Sequence, residues 1–193
     1  MSHNEHCKKC KTTFLKALET EYGEVIEQWQ SGWPCKIEDI RSIPHLSKAR
    51  RNSIIKIYKA IQRYRGYDNF VRRKALPRCD YFIKSLNCIV EFDESQHFTS
   101  PRALTYSLYP KWVKAGYDKN IWKIRCEGLN RRDSDPIYRD EQRAWYDTLR
   151  DVFPNVFGMN PTIRIYAKDN IWCLDKNATI KTLKDNILKF YKL

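Results

Sequence analysis

The sequence predicts an α/β fold in which a mixed β-sheet is flanked by helices. Helical periodicity occupies the N-terminal third, short β-rich runs follow, and strands and helices then alternate towards the C-terminus. No internal repeat or low-complexity tract interrupts this order. With 193 residues, 42% of them hydrophobic, the chain is long enough to bury a core, and wholesale disorder is excluded.

Two helices are predicted in the N-terminal third. Apolar residues recur at helical spacing over residues 14–26, and that segment closes near Gly32. A second helix is expected to start after Ser47 as its N-cap and to end at Gly66, and one of its faces is strongly basic. We therefore divide the chain into an N-terminal helical extension, residues 1–45, and a main domain, residues 46–193.

Strand patterns dominate the middle of the main domain. Residues 81–83 and 88–92 are β-rich runs joined by a short turn, which is typical of an antiparallel hairpin. A helix with Trp145 and Leu149 on its inner face is predicted over 138–152. The remaining expected elements are strands at 121–126, 162–166 and 171–174 and a closing helix at 179–191.

The charge balance predicts a polyanionic partner. Lys and Arg total 36 against 23 acidic residues, a net charge of +13, and binding to phosphates would release counterions from nucleic acid. A merely basic soluble domain is the alternative. No apolar run approaches the length of a membrane span, and the first residues lack the apolar stretch of a secretory signal. The seven cysteines, an odd number in mostly apolar surroundings, indicate reduced thiols and a cytoplasmic setting.

Acidic residues gather on the predicted hairpin. Glu91 and Asp93 share one face of their strand, and Asp80 opens the neighbouring strand. Such like charges repel, and a hard divalent cation, Mg²⁺ or Mn²⁺, removes the problem while its waters can attack phosphorus. His97 follows the strand closely enough to move a proton. The alternative is a set of exposed acids paired with lysines and arginines.

These residues resemble a known nuclease group. Asp80, the short turn and the run Val-Glu-Phe-Asp-Glu-Ser-Gln-His at 90–97 are similar to the core of PD-(D/E)xK, restriction-endonuclease-like nucleases. The similarity is greatest to their very-short-patch-repair-like branch. By pattern it extends over residues 70–192 and takes in a helix at 140–149, a strand with an arginine at 162–166 and the closing helix. Only the stretch from Asp80 to His97 is specific.

The resemblance implies a fold and a set of roles. It implies a restriction-endonuclease-like sheet, with Asp80 and Asp93 holding Mg²⁺ or Mn²⁺ and His97 assisting the attacking water. Glu91 is then either a third metal ligand or a supporting acid. Two features depart from the family pattern, since cysteine stands at 79 in place of proline and Asp93 occupies the position of the family's lysine. Either the chain follows the histidine-using branch, or Lys119 or Lys123 supplies the amine.

Two cysteines have the spacing of a metal site. Cys7 and Cys10 are separated by two residues, as in a zinc knuckle, and a tetrahedral site needs two further ligands. Cys35 is the best third candidate, and His45, His6 or His3 is the candidate for the fourth. A flexible tail with incidental thiols is the alternative interpretation.

Several basic residues are candidates for contacts with nucleic acid. Arg131 and Arg132 lie in a charged loop whose side chains can read base edges, although a solvated, mobile loop is the more common role of such a segment and is slightly favoured. Arg102, Lys111 and Lys114 follow His97 along the chain and are candidates for phosphate contacts.

The sequence therefore favours a metal-dependent DNA endonuclease that acts on double-stranded DNA. The alternative is a non-catalytic nucleic-acid-binding protein on a nuclease-like scaffold, which the missing lysine keeps open. A nuclease that acts on RNA is a third interpretation.

Overall fold

The computed structural model describes residues 5–173 and 176–188, which form one mixed β-sheet with helices on both faces. The predicted α/β class is therefore confirmed. The helices are α1 (Lys8–Tyr22), α2 (Ile37–Arg41), α3 (Lys48–Arg65), α4 (Ser100–Leu108), α5 (Lys119–Leu129), α6 (Arg139–Val156) and α7 (Lys176–Leu188). The strands are β1 (Val25–Trp29), β2 (Cys79–Ile83), β3 (Cys88–Asp93) and β4 (Ile163–Tyr166).

The four strands stand in the order β1-β2-β3-β4. The first three pair antiparallel, with Ile26 opposite Phe82 and Phe82 opposite Ile89, whereas β4 runs parallel to β3. The hairpin between β2 and β3 closes with Asn87 donating its backbone N–H to the Lys84 carbonyl at 3.0 Å. The parallel pair requires a long crossover connection, and α4, α5 and α6 supply it.

Each face of the sheet covers a separate hydrophobic layer. On one face Ile89 packs with α2, α3 and α6, and Trp145 and Leu149 of α6 are fully buried there as predicted. On the other face Val90 and Phe92 pack with α1 and α7. Because side chains alternate along a strand, Glu91 and Asp93 share the α6 side with Ile89.

The caps of α3 lie where the sequence predicts them. Ser47 accepts a hydrogen bond from the Arg50 backbone N–H at 3.4 Å, and Gly66 takes a left-handed conformation with φ of 78°. A glycine has no Cβ to strain in that region, so it ends the helix at low cost.

The predicted strand at 121–126 is wrong, because these residues belong to helix α5. Asp118 caps that helix by accepting from the backbone N–H groups of Asn120 and Ile121. Trp122 and Cys126, four residues apart, are the buried pair, while Ile124 is exposed. The apolar spacing fits both periods over six residues, and the cap decides in favour of the helix.

Three other expectations differ at the chain ends. The first helix ends at Tyr22, and residues 25–29 form strand β1, so the N-terminal segment adds an edge strand to the sheet as well as a helix. Residues 171–173 form no strand, position 174 lies outside the described residues, and Trp172 instead packs edge-on against Phe14. The closing helix begins earlier than predicted, at Lys176, and residues 189–193 lie outside the described part. The domain boundary at residue 45 stays a prediction.

None of the helices in the described ranges combines the length and the apolar character that crossing a bilayer requires.

Candidate active site

Asp80 secures the end of the β-hairpin. Regular pairing of β2 with β3 reaches Tyr81 opposite Val90, and one residue further the Asp80 Oδ2 accepts the backbone N–H of Phe92 at 2.9 Å. The half-buried carboxylate thus replaces a backbone acceptor. It also lies near enough to Glu91 for its negative charge to raise the pKa of that residue.

Glu91 is enclosed between the sheet and α6. It is 2% exposed, and Arg150 Nε lies 3.2 Å from its Oε1. Neither of those two atoms has a well-aligned hydrogen-bond partner among the described residues, so the contact is an ion pair only while Glu91 is ionised. Burial raises the pKa of Glu91 to about 8, and Arg150 opposes this shift only in part. Glu91 therefore keeps its proton through the neutral range.

Asp93, at the end of β3, has both oxygens engaged. Arg164 Nη1 of β4 donates to Oδ1 at 2.7 Å, and Trp122 Nε1 of α5 donates to Oδ2 at 2.7 Å. The residue is 1% exposed, and burial raises its pKa although Arg164 and His97 oppose the shift. The parallel pairing places Glu91 opposite Arg164, which explains why that arginine reaches the acidic face.

These carboxylates, as they stand, do not fit the magnesium site that the sequence predicts. Each of Asp80, Glu91 and Asp93 already has a protein partner, and two of those partners are arginines. Within residues 5–173 and 176–188, three metal-ligating atoms lie within 4.8 Å of one another only at a cysteine cluster. The two lysines suggested to replace the family's lysine have other partners. Lys119 Nζ donates to the Val113 carbonyl, and Lys123 Nζ lies 3.7 Å from Glu127 Oε1.

His97 forms a dyad with an aspartate of α6. Its Nδ1 lies 2.9 Å from Asp147 Oδ2 and 3.7 Å from Asp93 Oδ1. Burial lowers the pKa of His97, but the negative charges of Asp147 and Asp93 and the hydrogen bond to Asp147 together outweigh burial, and the net shift of the pKa is upward. Burial likewise acts to raise the pKa of Asp147, yet His97 and Arg164 hold it well below its usual range. Asp147 is therefore ionised and orients the imidazole, whose side chain is 20% exposed.

The dyad belongs to a buried charge cluster, defined here as the His97 imidazole with four carboxyl and three guanidinium groups. Each of these seven partner groups is at most 7% exposed. Four acids against three arginines leave one negative charge, so neutrality requires one proton, on His97 or on a carboxyl group. The upward pKa shifts of His97 and Glu91 agree with that requirement. The seven partner groups are Glu91, Asp93, Asp147, Asp151, Arg102, Arg150 and Arg164.

The N-terminal residues border the dyad. Glu5 Oε2 accepts the Ser95 backbone N–H at 2.5 Å, and the buried Glu94 lies 3.0 Å from His6 Nδ1. Lys11 Nζ of α1 donates to the other oxygen of Glu94 at 2.6 Å. Side chains of the N-terminal segment therefore hold the short 3₁₀ turn that carries His97, Ser95–His97.

Arginines line a cleft beside this turn. Arg131, Arg132 and Arg143 line a cavity of about 280 Å³ together with Gln96, the residue before His97. Glu5 and Asp133 also line it, so its arginines exceed its acidic residues by one. We call this cavity the arginine cleft. Arg143 Nη1 donates to the Gln96 carbonyl at 3.0 Å, which fixes the wall of the cleft to α6. A second cavity of about 430 Å³ shares Arg131 and Arg132, so the two cavities adjoin.

The other predicted phosphate-binding residues lie elsewhere. Arg102 is 2% exposed, and its guanidinium donates to Asp151 at 2.5 Å, so it belongs to the buried charge cluster and not to the surface. Lys111 and Lys114 are exposed, and the Lys114 backbone donates to Asn155. Asn155 lies eight residues beyond Asp147 on α6, about 12 Å along the helix. Of the five residues predicted to contact nucleic acid, Arg131 and Arg132 are the two that line the cleft beside the His97 turn.

The cysteine prediction is half retained. Cys7 and Cys10 group with Cys173, and this cluster can hold a metal ion. Cys35 is buried elsewhere, where its Sγ donates to the Arg73 carbonyl. Of the histidines suggested as a fourth ligand, His6 contacts Glu94, His45 is exposed in the connection between α2 and α3, and position 3 lies outside the described residues.

Sequence reasoning missed the α6 contribution to the site. Asp147 and Arg150 lie in a helix whose apolar residues predict one buried face, whereas almost all of α6 is buried. Charged residues between buried aromatic positions of one helix are the signal that could have revealed them.

No protein-family model matches the chain, and neither a curated protein nor a solved structure is significantly similar to it.

Proposed function

We propose that this protein is an endonuclease that hydrolyses phosphodiester bonds of double-stranded DNA and has a restriction-endonuclease-like fold. The observation that carries the proposal is the dyad of His97 with Asp147, partly open to solvent beside the arginine cleft. A buried acid that orients a histidine is the arrangement of a general base. A cationic cleft next to it suits a phosphate backbone.

The residues divide the work in the following way. Asp147 accepts a hydrogen bond from Nδ1–H of neutral His97, which leaves Nε2 free to take a proton from the attacking water. The oxygen of that water attacks phosphorus, the bond to the leaving sugar oxygen breaks, and the leaving oxygen takes a proton from solvent water while His97 later releases its own. Arg131 and Arg132 supply positive charge to the non-bridging oxygens.

The requirement for a divalent ion is tested in the assay and is not built into the proposed steps. Mg²⁺ or Mn²⁺ is expected from the sequence, yet the arginine-paired carboxylates offer no formed site for it. We therefore assign no step to the metal.

Nicking of supercoiled plasmid DNA by the purified full chain tests the proposal. The reaction is run with Mg²⁺, with Mn²⁺ and with a chelator. We expect His97→Gln and Asp147→Asn to lower the cleavage rate at least 100-fold while DNA binding, followed by fluorescence anisotropy, persists. His45→Gln is the matched control because this exposed histidine is not among the residues that line the cleft. Wild-type rates in the His97 variant would refute the assignment.

A second candidate function is non-catalytic binding of nucleic acid. The contacts of Glu91 with Arg150 and of Asp93 with Arg164 favour it, because the carboxylates of a metal-dependent enzyme must be able to reach the ion. This candidate predicts binding that weakens steeply with salt and no cleavage with any divalent ion. Offering RNA to the same preparation distinguishes a ribonuclease from both.

We also propose a cytoplasmic setting. The seven cysteines are all thiols in the structure, as a reducing compartment would maintain them.

A further inference from the structure

Three cysteines from the two ends of the described chain meet on one side of the sheet. Cys7 is the N-cap of α1 and Cys10 lies in its first turn. Cys173 follows Trp172, which packs edge-on against Phe14 of α1 with ring centroids 5.3 Å apart. The three sulfur atoms all lie within 4.8 Å of one another.

The composition of this cluster selects a class of ligand. Its ligating atoms are three sulfurs, without a carboxylate or an imidazole, and soft thiolate ligands select ions such as Zn²⁺ over Mg²⁺. In a tetrahedral zinc site with Zn–S bonds of about 2.3 Å, the sulfurs lie about 3.8 Å apart. Small side-chain movements are therefore enough to bring the three sulfur atoms from within 4.8 Å of one another to the spacing of a zinc site.

The position of the cluster adds a second argument. Cys7 and Cys10 lie at the N-terminus of the 15-residue helix α1, where unpaired backbone N–H groups favour anionic ligands such as thiolates. Cys10 is buried, whereas Cys7 and Cys173 are half-buried, so the cluster reaches the surface and an ion can enter.

We propose that Cys7, Cys10 and Cys173 bind one Zn²⁺ ion, with water as the fourth ligand. The ion joins the start of α1 to the segment after β4, two parts of the chain that are more than 160 residues apart. It also fixes Glu5 and His6, the two residues before Cys7, which contact Ser95 and Glu94 beside the His97 turn.

The site can be tested without any activity measurement. Metal-free full-length protein is titrated with Co²⁺, whose thiolate charge-transfer and d–d absorption bands report the number of sulfur ligands and tetrahedral geometry. Zn²⁺ is then added as competitor, and bound zinc is counted by mass spectrometry. We expect one ion per chain, the spectrum of three thiolates, and at least 100-fold weaker binding in Cys173→Ser.

The matched controls are Cys35→Ser and Cys126→Ser, each of which removes a buried thiol outside the cluster. Both are expected to bind as wild type does. If Cys35→Ser loses the ion while Cys173→Ser retains it, the ligand set proposed here is overturned. Failure of the wild-type chain to bind one equivalent of zinc overturns the site altogether.

A measurement on the wild-type chain covers the case in which a variant does not fold. Zinc is expected to slow alkylation of Cys7, Cys10 and Cys173, read by peptide mass spectrometry, at least tenfold relative to the metal-free chain. Equal alkylation rates with and without zinc would contradict the proposal. Because neither readout involves DNA, failure of the zinc site and failure of the proposed nuclease are distinguishable.

Discussion

Replacement of Glu91 by glutamine tests the electrostatics of the buried charge cluster directly. The pKa of Glu91 rises from an ordinary value of 4.5 to about 8 on folding, because burial disfavours its charged form. The folded chain therefore binds a proton that the unfolded chain releases between these two values. Glu91 thus makes its full contribution to stability below pH 4.5, and that contribution is lost as the pH rises through about 8.

The size of the effect follows from the same two values. One pKa unit corresponds to about 1.4 kcal/mol, so raising the pH from about 5 to about 8 removes roughly 3 kcal/mol of unfolding free energy through Glu91. Glutamine at this position does not titrate. The difference in unfolding free energy between Glu91→Gln and wild type should therefore shift by about 3 kcal/mol in favour of the variant over this range.

Urea unfolding at four pH values between 5 and 8 measures this shift. Other titrating groups, His97 among them, are present in both proteins and largely cancel in the difference. Glu24→Gln is the control, since its side chain is 64% exposed and its free-energy difference should stay constant. Parallel stability curves for Glu91→Gln and wild type would show that Glu91 is ionised in the folded protein, and the reasoning would fail.

Three further predictions concern the cluster and the cleft. Cleavage of DNA should increase with pH through a midpoint above 6.5, because the general base acts when neutral and the pKa of His97 is raised; a pH–rate profile that is flat or falls from pH 6 to 8 would exclude that role. Arg164→Met should lower the unfolding free energy by about 3–5 kcal/mol in urea titrations, because the buried Asp93 loses its arginine partner. Lys84→Met, at an exposed ion pair, should cost less than about 1 kcal/mol. Removing both Arg131 and Arg132 by alanine substitution should reduce the slope of log binding constant against log salt by about 1.8, measured by anisotropy, and an unchanged slope would place the DNA elsewhere.

Elements with local signals could be predicted from the sequence. Ser47 and Gly66 mark the ends of α3 because a cap is a property of a few neighbouring residues. The β2–β3 hairpin is equally local, and its turn is short. Helix α5 was misassigned because a six-residue apolar pattern fits both periods, and the decisive cap at Asp118 lies outside that window.

The candidate site could be predicted only in part, because its partners are distant in sequence. Asp93 and His97 stand in one motif, but the arginine that neutralises Asp93 comes from β4, 71 residues later. Cys173 replaces Cys35 beside Cys7 and Cys10 for the same reason, since only the packed sheet brings it to α1. Spacing along the chain carries no information about such pairs until the topology is known.

The parallel pairing of β3 with β4 affects when the buried charge cluster can form during folding. The guanidinium of Arg164 and the carboxylate of Asp93 come into contact only when β4 pairs with β3, and three helices separate these two strands along the chain. Until then the acidic side chains must stay hydrated, because an unneutralised charge cannot leave water at acceptable cost. We therefore expect water to be excluded from the buried charge cluster late in folding, after the antiparallel β2–β3 hairpin has formed.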